Sequence, residues 1–96
     1  MPFETLTYLA QWFHQDYDLL APTPADLVRD FLAKEDPQTV EELRRDLDQL
    51  AATNPTEEEV RALWLDHARS SYDPVQHGSS YLEWIRQIRE IVAAGS

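Results

Sequence analysis

The chain reads as all-α, a compact bundle of about five helices, and three observations predict it. It holds only two glycines in 96 residues, few β-branched side chains, and apolar positions recurring at intervals of three and four. Signals for a helix N-terminus also recur four times after the first helix. A chain of this length buries roughly 65% of the surface it exposes when unfolded, enough for one core, so residues 1–96 are expected to form a single domain.

Helix 1 is predicted over about 3–13, with Phe3, Leu6, Leu9, Ala10 and Phe13 on one stripe and Tyr8 and Trp12 paired at i,i+4 on another side. Thr23-Pro24 opens a helix over about 24–34 that offers Leu27, Val28, Phe31 and Leu32. Asp36-Pro37 opens the next, over about 37–52, which buries Val40, Leu43, Leu47 and Leu50 and covers its other faces with charge. In both, a capping side chain precedes a proline at the first helical position, where the missing N–H is not needed. Thr56 with Glu59 fits a capping box and starts a helix over about 57–69, burying Val60, Leu63, Trp64 and His67, with Leu65 off the stripe and Arg69 in the last turn. Ser80 with Glu83 fits a second box, ahead of a helix over about 81–93. That last helix has the widest apolar face, with Tyr81, Trp84, Ile85, Ile88, Ile91 and Val92, and is expected at the centre of the bundle.

Composition narrows the function. A formal net charge of −10 disfavours nucleic acid and anionic membranes, because affinity for phosphate comes from Lys and Arg. It favours instead fast encounter with a basic macromolecule. Glu4, Asp16, Asp18 and Asp26 all precede Arg29, the first basic side chain. There is no cysteine, so thiolate zinc sites and thiol nucleophiles are excluded and a reducing compartment, the cytoplasm, is expected. "MPFETLTYLAQWF" has neither the charge pattern nor the cleavage site of a signal peptide, and no apolar run is long enough to cross a bilayer.

Two connections interrupt the regular pattern: "HQDYDLLAPT" and "SSYDPVQHGS", each about ten residues long and each holding His, Asp and Tyr. A metal site built from His14, Asp16, Asp18, Asp73 and His77 has weak support from spacing. An EF-hand-like loop would need an oxygen ligand near position 20 and a glycine at 21, where the chain has Leu20 and Ala21. No H-E-x-x-H is present for zinc. Gly78-Ser79-Ser80 lacks the frame of a nucleophile elbow, and Ser80 is explained as a helix cap. The expectation is no catalytic residue, no metal and no cofactor. Large aromatics beside acids match interface anchors instead, so Trp12, His14, Asp16, Tyr17, Asp18, Tyr72, Asp73 and His77 are the candidate contacts for a protein partner.

The segments "WFHQDYDL" (12–19), "VRDFLAKEDP" (28–37), "ELRRDLDQL" (42–50) and "YDPVQHGSSYLEWIRQI" (72–88) carry a resemblance. In order and over nearly the whole chain, they resemble the contact-dependent growth inhibition immunity proteins of bacteria. The nearest likeness is to a small group with an aromatic-Phe-His-Gln-Asp-aromatic-Asp signature after helix 1 and Gly-x-Ser-Tyr-x-Glu-Trp opening the last helix. The resemblance implies a cytoplasmic, non-enzymatic protein that binds and neutralises the C-terminal toxin domain of a cognate effector. Such toxins are often nucleases, whose substrate cleft is basic, in agreement with the charge argument. The free protein is expected to be a monomer or a weak homodimer. The alternative is an acidic intracellular interaction module unrelated to toxins.

Overall fold

Helix order follows the sequence pattern, and the two long connections each gain a short helical turn. The computed structural model describes residues 3–14 and 17–95, apart from the side chains of Asp18, Leu20 and Gly95. The elements are α1 (Glu4–Gln11), α2 (Tyr17–Leu20), α3 (Pro24–Lys34), α4 (Pro37–Ala52), α5 (Glu57–Arg61) continued by a π-turn (Ala62–His67), a 3-10 turn (Pro74–His77) and α6 (Tyr81–Gly95). Among the described residues there is no strand.

Local chemistry accounts for most boundaries. The Thr23 hydroxyl accepts from Asp26 N at 3.1 Å and the Asp36 carboxylate from Thr39 N at 2.8 Å, each capping a helix whose first residue is proline. Both halves of the Thr56–Glu59 box are formed, at 3.1 Å and 3.0 Å. The second box is half formed. The Ser80 hydroxyl accepts from Glu83 N at 3.0 Å, while the Glu83 carboxylate turns to Arg86.

Two helix N-termini are capped by carboxylates from other helices. Asp46 of α4 accepts from Thr5 N and Leu6 N of α1 at 2.9 and 3.0 Å. Glu57, the first residue of α5, accepts from Tyr81 N and Leu82 N of α6 at 2.8 and 2.9 Å. Each satisfies two orphan donors at the positive end of a helix dipole, and so fastens one helix to another.

The core takes Leu6, Leu9, Ala10 and Phe13 from the first segment, Leu27, Val28 and Phe31 from α3, Leu43, Leu47 and Leu50 from α4, Val60 from α5 and Trp64 from the π-turn. From α6 come Tyr81, Trp84, Ile85, Ile88 and Val92. As its broad face predicts, α6 packs against α3, α4, α5 and the 3-10 turn, while α1 rests on α4 and the π-turn.

The segment 57–69 departs from the single helix expected there. A regular α-helix over 57–69 would bury His67 and turn Leu65 outward. The chain instead leaves α geometry at Ala62, with Ala68 N reaching back to Leu63 O at 3.0 Å and Ser70 N to Trp64 O at 3.2 Å. One extra residue in a turn rotates everything after it by about 100°. His67 is therefore exposed, Leu65 packs against the core, and Ala68 is buried. Arg69 lies beyond the helix in the left-handed region (φ 57°), so it does not stand in a last helical turn.

Candidate interaction surface

Phe13 brings the two long connections together. Helix α1 ends at Gln11, and its last turn tightens as Trp12 N and Phe13 N donate to Leu9 O and Ala10 O, both at 3.0 Å. The Phe13 ring is fully buried among Tyr17, Trp64, Tyr72 and Trp84, with centroid distances of 5.7, 5.4, 5.7 and 5.8 Å. Its carbonyl accepts from Ser71 N of the second connection at 2.6 Å. This backbone bond and the shared aromatic cluster join segments almost sixty positions apart in the chain.

The first connection meets the rest of the fold through Tyr17 and Trp12. Tyr17 N donates to His14 O at 2.9 Å, and the half-buried Tyr17 ring meets Phe13 and, edge-on at 5.9 Å, Tyr72. Trp12 is half-buried with its ring edge-on to Phe31 at 5.0 Å, and His14 is exposed. Asp16 and the Asp18 side chain lie outside the described residues.

Further hydrogen bonds hold the second connection. Trp64 donates its indole N–H to Tyr72 O at 2.8 Å, the Tyr81 hydroxyl donates to Asp73 at 2.9 Å, and the same Asp73 oxygen accepts from Val75 N at 3.1 Å. Asp73 thus caps the 3-10 turn that Pro74 opens and Gly78 closes. Gly78 is left-handed (φ 82°), a conformation other residues adopt only at a cost. The Tyr72 ring meets Trp84 edge-on at 4.9 Å and His77, tilted, at 5.1 Å.

These contacts sort the candidate residues. Tyr72 is buried, at 5% exposure, so it supports the surface from beneath; Trp12, Tyr17 and Asp73 are half-buried; His14 and His77 are exposed. Burial pushes the Tyr72 phenol above its ordinary range, helped by Tyr17 and the negative charge of Asp73. Burial likewise raises Tyr81, with Asp73 accepting its proton in a hydrogen bond. Both phenols are therefore neutral at physiological pH, and Tyr81 donates to Asp73.

Two side chains belong with this group that the sequence pattern passes over. Leu19 is 81% exposed on α2 and Val75 51% exposed on the 3-10 turn, each on a turn too short to cover it. The available signal was length, since a four-residue helical turn between two breakers has no buried face to give every apolar residue. Among the described residues, no group of three or more His, Cys, Asp or Glu could hold a metal ion. Also among them, no helix is long and apolar enough to cross a membrane. The surface offers aromatic edges, isolated apolar side chains and acids, which suit a protein partner better than a small substrate.

Comparison with known proteins agrees with this architecture. Residues 3–92 match the family described as CdiI immunity protein. Among solved structures, a chain of the CdiA-CT/CdiI complex from Y. kristensenii 33638 superposes with a TM-score of 0.86 at 22% identity, covering 96% of this chain and 99% of that one. At that identity the likeness speaks for the fold. The curated proteins contain no match.

Proposed function

Because the chain belongs to the CdiI immunity protein family, we propose that it binds and neutralises the C-terminal toxin domain of a cognate contact-dependent growth inhibition effector. The observation that carries this reading is the family match across residues 3–92, and the solved relative of the same fold comes from a CdiA-CT/CdiI complex. Neutralisation needs only that the toxin be held, so the protein acts by occlusion, without a cofactor or a reaction of its own. It does so in the cytoplasm, where an incoming toxin would reach its target.

The partner is a basic domain, with a nuclease as the leading class, because a net charge of −10 favours encounter with the cationic cleft a nuclease needs. Contact falls at the joined connections, through Trp12, His14, Asp16, Tyr17 and Asp18 on one side and Asp73 and His77 on the other, with Tyr72 beneath them and Leu19 and Val75 as apolar anchors. Support comes from the exposure of the two aliphatic side chains and the aromatic edges between them.

The test is binding to the C-terminal domain of the effector encoded in the adjacent upstream reading frame, immobilised and read at two salt concentrations. Tyr17→Ala is expected to speed dissociation, at a cost of about 2 kcal/mol, the scale of an interface anchor. Val75→Asp should do the same. Wild-type affinity in both folded variants would move the interface elsewhere, and no binding by the wild-type chain would overturn the partner itself.

A further inference from the structure

The geometry points to Trp64 as a positioning residue for toxin capture: its indole N–H holds the 69–80 segment in its binding shape before the partner arrives. The inference rests on the interface proposed above. Trp64 is 1% exposed and cannot touch a partner. It sits in the π-turn, and the wider turn places its ring against Phe13 and Trp84 with Nε1 at 2.8 Å from Tyr72 O.

That carbonyl is where the segment needs fixing. The peptide that follows it belongs to Asp73, which caps the 3-10 turn bearing Val75 and His77. Ser70 adds a weaker tie to the same carbonyl at 3.3 Å and accepts from Tyr72 N at 3.1 Å. With no helix or sheet ladder along 69–73, the buried indole bond is the tie from the core to this carbonyl. A segment ordered in advance loses less entropy on binding, so its tie lowers the dissociation rate without touching the partner.

The fold supplies a matched control. Trp84 is equally buried, lies 5.7 Å from Trp64 ring to ring, and packs on the same Phe13 and also on the Tyr72 ring, yet among the described residues its Nε1 has no hydrogen-bond partner. Trp64→Phe removes a ring and a tie; Trp84→Phe removes a ring alone. Ile88→Val, a trim of a fully buried α6 side chain, gives a third variant that lowers stability and removes none of the hydrogen bonds that tie the segment.

Amide hydrogen exchange of the free protein reads the positioning directly. In Trp64→Phe, exchange at residues 71–79 is expected to accelerate roughly tenfold relative to Trp84→Phe and Ile88→Val, the scale of one lost hydrogen bond, with α4 amides changing alike in all three. Binding to the upstream-encoded toxin domain should then show dissociation faster by roughly three- to tenfold in Trp64→Phe alone, with association unchanged. Equal exchange in Trp64→Phe and Trp84→Phe would overturn the positioning role. Faster exchange with wild-type dissociation would show that the segment's order does not serve binding. If Val75→Asp and Tyr17→Ala also left binding untouched, the interface itself would be misplaced.

Discussion

Trp84 and Gly78 show how one side chain carries a consequence that residue type alone does not. Trp84 is 1% exposed, so Trp84→Ala is expected to cost about 3 to 5 kcal/mol in denaturant unfolding, and a loss below about 1 kcal/mol would place it outside the core. Its buried N–H lacks a partner among the described residues and so carries a desolvation penalty, which makes Trp84→Phe the milder change, within about 1.5 kcal/mol. Space is open around a Cβ at Gly78, but the left-handed backbone still penalises one, so Gly78→Ala should cost about 1 kcal/mol through φ alone. The phenols add a pH dependence. Tyr72 and Tyr81 have folded pKa values raised above the ordinary 10.0, so the folded state holds protons the unfolded state releases. Their contribution is complete below about pH 10 and is lost as pH climbs from there through the folded values. Denaturant midpoints should therefore fall as the pH rises above about 10, and the fall should shrink in Tyr72→Phe. Periodicity put Phe13 on the buried stripe, but Tyr72 sits in an irregular segment with no period to read. Only the meeting of the two connections shows that it is covered.

At the scale of elements, helix starts were legible and helix fastenings were not. Thr23, Asp36 and Thr56 cap through atoms three residues away, a distance local sequence contains. Asp46 and Glu57 cap helices about forty and twenty-four positions distant, so sequence shows them as ordinary surface acids. The π-turn was equally hidden. Nothing in "ALWLDH" departs from α-helical composition, and the extra residue is held by what Trp64 and Leu65 bury. Glu57 allows a sharp comparison with its neighbour. Glu57→Ala removes the acceptor of two backbone donors at the start of α6 and is expected to cost about 1 to 2 kcal/mol. Glu58 makes an exposed pair with Arg61 at 3.5 Å, and Glu58→Ala should change stability by less than about 0.5 kcal/mol. Equal losses in thermal unfolding would mean that the Glu57 cap is not formed in solution.

For the whole molecule, the question is how an excess of acid serves both fold and encounter. Several carboxylates are committed within the fold: Asp46, Glu57 and Asp73 to caps, Glu35 to the Tyr8 hydroxyl, and Glu41, Asp48 and Glu83 to arginines. Commitment does not cancel their charge at a distance, so the net −10 still acts on an approaching domain, with a reach set by salt at a Debye length of about 8 Å at physiological strength. Two origins of fast association then make different demands. If the net charge alone steers, removing any two acids should slow association equally. If the acids near the joined connections steer, position should matter, because complementary potential acts most strongly where the surfaces close. Asp16→Asn with Asp18→Asn and Glu58→Gln with Glu90→Gln change the net charge by the same amount, and Glu58 and Glu90 are exposed on other helices. The expected outcome is that the first pair slows association with the upstream-encoded toxin domain several-fold and flattens its salt dependence, while the second pair changes it less than about twofold and neither alters dissociation. Equal slowing by both pairs would assign the steering to net charge, and the acids of the first connection would lose their special place in the encounter.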